Sequence, residues 1–216
     1  GMTATKNSVA TARLGAETVS DIAQQIVERV AFAQTDGVNR ADVQLEIDAL
    51  VENMGTAIEQ ATFNGDNLVD GTRMATSATP NAVTLVNGVK RDSSGFGTTT
   101  YTFDGVDLGA IKTAMEAINV ETSTDLAADL ATAEGELANS ITAATSLGIT
   151  ENALEGQMEF IDSLTDTLDS GVSSMVDADM EEEAARLQAY QVQQQLATQS
   201  LSIANQAPQN ILSLFR

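Results

Sequence analysis

The sequence predicts a mainly α-helical protein: a long antiparallel helical-bundle or coiled-coil rod, with a small β-hairpin region and a C-terminal extended helix. Three observations carry this. Apolar residues recur at alternating steps of three and four over most of the chain, which is the spacing of a helix face or coiled-coil seam. Apolar content is 43% but aromatic content only 4%, with no Trp. Small residues suit helices lying close side by side better than a centre filled with rings. One central stretch instead carries β-forming residues punctuated by Asn-Gly and Asp-Gly pairs, the vocabulary of hairpins.

In chain order, Val9, Ala12, Ala16, Val19, Ala23, Ile26, Val30 and Ala33 form an unbroken seam, predicting a helix over about residues 8–34, roughly 40 Å long. Thr35-Asp36-Gly37 stops it, with Gly37 suited to the left-handed C-terminal position. Asn39 is an N-cap candidate for a second helix, with Asp42 in its first turn. Val43, Ile47, Leu50, Met54, Ala57 and Ala61 continue the spacing. Two seams joined by a short turn predict an antiparallel helical hairpin. After Phe63 come Asn64-Gly65, Asp70-Gly71, Asn87-Gly88 and Asp104-Gly105 as turn signals. Residues 82–86 and 98–103 between them are rich in β-formers, so 66–110 is expected to hold one or two hairpins, too small to be stable alone.

Helical spacing resumes with Leu108, Ile111, Met115 and Ile118, and again with Leu126, Leu130 and Leu137. Leu147-Gly148-Ile149-Thr150 is a candidate interruption, with Thr150 able to cap the helix that follows. Leu154, Met158, Ile161, Thr165, Leu168, Val172 and Met175 form a third seam. After a one-residue phase shift come Val176, Met180, Glu183, Leu187, Tyr190, Gln194, Ala197, Leu201 and Ala204. That stripe holds Glu and Gln at seam positions amid abundant Gln, Ala and Ser, leaving too little apolar surface to dock firmly on its own domain. The expectation is that the first three seams pack within the chain and that residues 176–204 pack between chains. The ending Ile211-Leu212-Ser213-Leu214-Phe215 is an apolar tag that needs covering.

Composition excludes several functions. Zero Cys and zero His remove their nucleophile and general-base chemistry and the usual zinc, copper, haem and iron–sulfur ligation. With 31 Asp and Glu against 10 Lys and Arg, the formal charge is −21, which argues against nucleic acid. No stretch of about 18 apolar residues exists to insert in a membrane, and no signal peptide is visible. The acids Asp177, Asp179, Glu181, Glu182 and Glu183 lack EF-hand spacing and read as a helix N-terminus collecting negative charge. Asp162, Asp166 and Asp169 read as a solvated face. No enzyme, cofactor or metal reading survives.

Residues 173–216, SSMVDADMEEEAARLQAYQVQQQLATQSLSIANQAPQNILSLFR, resemble the C-terminal end of bacterial flagellin. The elements that carry the likeness are Asp177-Ala178-Asp179, Gln193-Gln194-Gln195, and Ala204-Asn205-Gln206-Ala207-Pro208-Gln209-Asn210 before the apolar ending. Upstream, Ile47-Asp48 and Phe63-Asn64-Gly65-Asp66-Asn67-Leu68-Val69-Asp70-Gly71 resemble the second rod helix of flagellin and the turn opening its β-hairpin region. The resemblance implies a structural subunit of the extracellular flagellar filament, exported unfolded through the type III apparatus and joined to its own kind in a homopolymer for motility. It places N-terminal rod helices at 3–62, a β-hairpin region at 63–110, C-terminal rod helices at 111–175 and an inner-tube polymerisation helix at 176–216.

On that reading the subunit interface comprises Val176, Met180, Leu187, Tyr190, Ala197 and Leu201. It continues through Ile211, Leu212, Leu214 and Phe215, where the flagellin export chaperone would also bind. Filament cap and junction proteins are further implied partners. Relative to the family, no long N-terminal Ala-, Asn- and Gln-rich segment precedes residue 3, and Gly1-Met2 looks like a cloning remnant. A truncated chain that folds in its rod but polymerises poorly alone is therefore expected. The helix face equivalent to that read by the vertebrate flagellin receptor carries Gln25, Glu28 and Arg29, with an acid where the family has a guanidinium, so weak agonism is expected. Two alternatives are a hook–filament junction protein and a surface flagellin homologue that binds polysaccharide, for which Tyr101 and Phe103 are the candidate sugar platform.

Overall fold

The computed structural model describes residues 1–73, 82–93 and 95–214, with side chains described as far as residue 206. Its elements in order are α1 (Met2–Ala33), α2 (Arg40–Gln60), β1 (Thr62–Phe63), β2 (Asp66–Asn67), β3 (Val83–Asp92), β4 (Gly95–Phe103), α3 (Leu108–Glu116) and α4 (Leu126–Leu214). The mainly helical rod with small antiparallel hairpins is thus the fold. The chain divides into two units, Gly1–Ile161 and Asp162–Arg216.

In the first unit all eight seam residues expected on α1, from Val9 to Ala33, are fully buried. The helix starts earlier than expected, at Met2. It ends at Ala33, and its C-cap is Gln34 in a right-handed conformation rather than the expected Gly37, which instead takes a φ of +81° in the turn that follows, a conformation that glycine adopts without a Cβ clash. Asn39 caps α2 by accepting from the Ala41 N–H while its amide donates to Asp42 at 2.7 Å. On α2 the expected stripe is corrected. Val43, Ile47, Met54 and Ala61 are buried, but Val51 and Ile58 take the deep positions assigned to Leu50 and Ala57, which are only partly buried. A straight helix turns slightly more slowly than a heptad repeat, so its buried face drifts toward later residues over a few turns.

The α1–α2 pair is antiparallel, with Arg29 paired to Glu46 at 3.1 Å and Gly15 against Ala61. A Cβ on Gly15 would lie 2.5 Å from that of Ala61, so the small residues set the spacing between the helices. The opposite side of α1 carries α4, also antiparallel. The Gln34 amide donates to Leu126 O at 3.2 Å, the Ser20 hydroxyl to Ser140 Oγ at 2.9 Å, and Lys6 Nζ to Glu155 at 2.8 Å. The expected interruption at 147–150 does not occur. Helix α4 runs straight through it, Leu147 is fully buried, and the Thr150 hydroxyl donates to Ser146 O in mid-helix rather than capping anything. The seam is in fact continuous: Ala133, Ser140, Leu147 and Leu154 are all buried seven residues apart. Leu126, Leu130, Leu137 and Ala144 are partly buried beside them.

The Asn64-Gly65 turn is confirmed. Both residues have positive φ, +54° and +80°, and they join the β1–β2 pair with Thr62 opposite Asn67, as a two-residue type I′ loop requires. Asn87-Gly88 is corrected. It is not a turn but a bulge inside β3, between the pairs Val86–Thr100 and Gly88–Thr99, and the strand continues to Asp92 opposite Gly95. An unpaired residue in a ladder tolerates the same Asn-Gly chemistry as a tight turn, so the dipeptide alone is ambiguous. Asp104-Gly105 closes no hairpin either. Its segment returns beside residues 68–73 through Val106 N to Leu68 O (2.7 Å), Leu108 N to Val69 O (2.8 Å) and Gly105 N to Arg73 O (2.9 Å).

Leu108, Ile111, Met115 and Ile118 are buried as expected, and Asp107 caps α3 by accepting from Ala110 N at 2.9 Å. Gln44, not singled out in the sequence, ties the α3–α4 connection to α2. It is buried, its amide donates to Asp48 Oδ1 (2.7 Å) and Ile118 O (3.3 Å), and its Oε1 accepts from Val120 N at 2.8 Å.

Candidate subunit-packing surface

Burial along the third seam ends abruptly. Leu154 is fully buried and Met158 and Ile161 are half-buried, but Leu168, Val172 and Met175 are 59%, 53% and 67% exposed. This corrects the expectation that the whole seam packs within the chain.

In the second unit every described residue from 162 to 206 is exposed. Val176, Met180, Leu187, Tyr190 and Leu201 are between 54% and 67% exposed, and Ala197 is exposed as well. At about 100° per residue these side chains fall on one side of the helix. Glu183 and Gln194 share that side and are exposed. Arg186 lies 2.8 Å from Glu182 and 4.0 Å from Glu183.

A second apolar set was not anticipated. Val192, Leu196 and Ile203 are 54%, 59% and 69% exposed and lie on roughly the opposite side of the helix at the same rotation. Their spacing was visible in the sequence but hidden among glutamines. Two opposed apolar stripes on one helix want neighbours on both sides. The side chains of Ile211, Leu212 and Leu214, and Phe215 as a whole, lie outside the described residues.

Electrostatics here are one-sided. Between 162 and 183 there are Asp162, Asp166, Asp169, Asp177, Asp179 and three glutamates, with no Lys or Arg. The same sign continues into the first unit, where it is answered. Arg13 sits 3.1 Å from Glu151 and 3.7 Å from Glu17. The Lys6–Glu155 hydrogen bond holds the Lys6 ammonium above its ordinary pKa and the Glu155 carboxyl below its own. Among the described residues, no three acidic side chains converge as a metal site, and no helix is long and apolar enough to cross a membrane.

Gln25, Glu28 and Arg29, the helix face expected to correspond to the one a flagellin receptor reads, are exposed, with the Arg29 guanidinium engaged by Glu46 of α2. The sugar-platform candidates face the other way. Phe103 is buried and Tyr101 half-buried, the two rings 6.0 Å apart and tilted by 35° on the side of the hairpin that meets the core.

These features define a helical-rod protein with a long, open, apolar-striped helix. Comparison with known proteins narrows the class. Residues 130–215 match the family model described as the bacterial flagellin C-terminal helical region. A flagellin of Brucella melitensis is 35% identical over 93% of this chain and 70% of its own length. The flagellin FljM of Caulobacter vibrioides is 32% identical over 98% of this chain and 74% of its own. In fold, the chain is similar to the crystal structure of Bacillus cereus flagellin, with a TM-score of 0.58 at 14% identity over 73% of this chain and 86% of that one. The chain belongs to the bacterial flagellin family.

Proposed function

We propose that this protein is a structural subunit of the bacterial flagellar filament that joins its neighbours by helix packing, and that it is not an enzyme. The observation that supports this most is the second unit. Its apolar side chains, on two opposed sides of one helix, are exposed from Leu168 to Ile203, and burying them against like helices recovers about 25 cal/mol per Å² of apolar surface. Its excess of acids makes that association depend on counterions. The subunit interface is assigned to Val176, Met180, Leu187, Tyr190, Ala197 and Leu201, continuing into the apolar tail.

The tail is also where an export chaperone would bind, keeping the chain from premature association before type III export. Absence of Cys suits a chain threaded unfolded out of the cell. Filament cap and junction proteins would meet the same helix at the filament ends. The Gln25–Arg29 face, with its guanidinium drawn toward Glu46, supports weak recognition by the vertebrate flagellin receptor. Burial of Phe103 disfavours the polysaccharide-receptor alternative. The test is incorporation into filaments seeded by fragments of an intact flagellin filament, read by sedimentation and electron microscopy. Incorporation that Leu187→Asp abolishes supports the proposal. Failure to incorporate, or incorporation indifferent to Leu187→Asp, refutes it.

A further inference from the structure

The β3–β4 hairpin has a face that the rod does not cover. Its inner face, carrying Val83, Leu85, Tyr101 and Phe103, packs on the core. On the outer face the pairs Val86–Thr100, Val89–Thr98 and Arg91–Phe96 succeed one another, alternation through the bulge placing all six side chains on one side. Val86, Val89 and Phe96 there are 56%, 71% and 78% exposed, and the Arg91 guanidinium lies 5.1 Å over the Phe96 ring. The result is a narrow apolar strip ending in a cation.

Elsewhere on the same unit, α2 and α3 leave a groove of about 460 Å³ floored by Val51, Gly55 and Thr56 and walled by Asp48, Glu52, Glu59, Lys112 and Glu116. It exists because Gly55 has no side chain where a Cβ would come within 3.0 Å of Lys112. Four carboxylates face one ammonium, and Glu116 already holds that ammonium at 3.0 Å.

We propose that the outer face of the hairpin docks into the α2–α3 groove of a second copy of this chain, Arg91 entering between Glu52 and Glu59 while Val89 and Phe96 lie over Thr56 and Gly55. Charge selects this occupant. Two hairpins face to face would bring two Arg91 side chains together, whereas the groove offers a guanidinium carboxylates on both walls. Symmetry agrees, because contact between two different patches repeats head to tail, while contact between identical patches closes on itself. The symmetry argument rests on the filament reading; the charge argument does not.

The chain has no Cys, so introduced thiols report contacts directly. Full-length Val89→Cys and Thr56→Cys chains, each at an exposed position and checked by thermal melting for native folding, are mixed and oxidised with diamide. The heterodimeric disulfide should form about tenfold faster than either homodimer, the factor that one favourable charged contact supplies. Arg91→Glu in the first chain should remove the excess, and adding Glu52→Arg to the second should restore it. A heterodimer no faster than the homodimers, a dominant Val89→Cys homodimer, or indifference to Arg91→Glu overturns the proposal. Seeded filaments without this cross-link would sink the docking alone. The cross-link without filament incorporation would sink the filament reading alone.

Discussion

Two leucines on the same helix test the division between what holds the rod and the surface proposed to join subunits. Leu147 is fully buried and Leu187 is 60% exposed. Gly148 lies against the Arg13 side chain, which places Leu147 at the level of Ala12 and Ala16 on α1. Methyl groups cannot reach across to fill the space a deleted isobutyl leaves, so Leu147→Ala keeps most of its cavity. The expected cost is about 3–4 kcal/mol, within the range for leucine truncation in rigid cores. For a unit of this size that lowers the melting midpoint by about 6–16 °C. Leu187→Asp changes an exposed side chain of the second unit and should change that midpoint by no more than about 2 °C, as surface substitutions do. Circular dichroism melting of both variants, alongside seeded sedimentation, is the assay. Leu147→Ala should melt early yet still incorporate below its midpoint, and Leu187→Asp should melt normally and stay in the supernatant. A Leu187→Asp midpoint depressed as far as that of Leu147→Ala would refute the separation of roles.

Four further outcomes follow from the same geometry. Gln44→Ala strips the partners of Val120 N and Ile118 O and should cost about 1–3 kcal/mol by urea unfolding, the penalty for stranded buried polar groups. Gly105→Ala puts a Cβ 2.6 Å from Leu68 O and should cost about 1–3 kcal/mol by the same measurement through overpacking against backbone. The Glu155 carboxyl is held below its ordinary value of 4.5, first by the Lys6 hydrogen bond and then by its charge. Its contribution is therefore complete above that value and lost as pH falls through the lowered one. Comparing melting midpoints at about pH 6 and about pH 3, Glu155→Gln should destabilise more at the former than at the latter. Seeded incorporation should rise with ionic strength, because 162–183 carries eight acids and no base and screening weakens the repulsion between copies. Incorporation falling as salt is added, measured by sedimentation, would contradict this.

Much of this architecture was legible in the residues. The α1 seam could be read completely because all eight positions are apolar and none is interrupted. The α4 seam looked broken because polar residues occupy seam positions. Ser140 is buried with its hydroxyl donating to Leu137 O and accepting from Ser20, and Glu151 is answered by Arg13. Only the neighbouring helix reveals which group faces each of them. Gln44 escaped notice for the same reason, and Asn87-Gly88 because turn and bulge draw on the same backbone freedom. Along the third seam the spacing is identical before and after Ile161. Periodicity tells which face wants cover, and not which chain supplies it, so the change from buried to exposed had no sequence signature.

The Ser20–Ser140 pair also has a mechanical consequence. The apolar positions of α1 and α4 repeat every seven residues, so sliding one helix past the other by about 10 Å would bring apolar side chains back into contact with apolar side chains. Hydrophobic burial alone thus does little to distinguish the two registers. What such a slip would break is the hydroxyl pair, together with Lys6–Glu155 and Arg13–Glu151. These few polar teeth thus favour one axial register, while cohesion across the axis comes from the oily face between them.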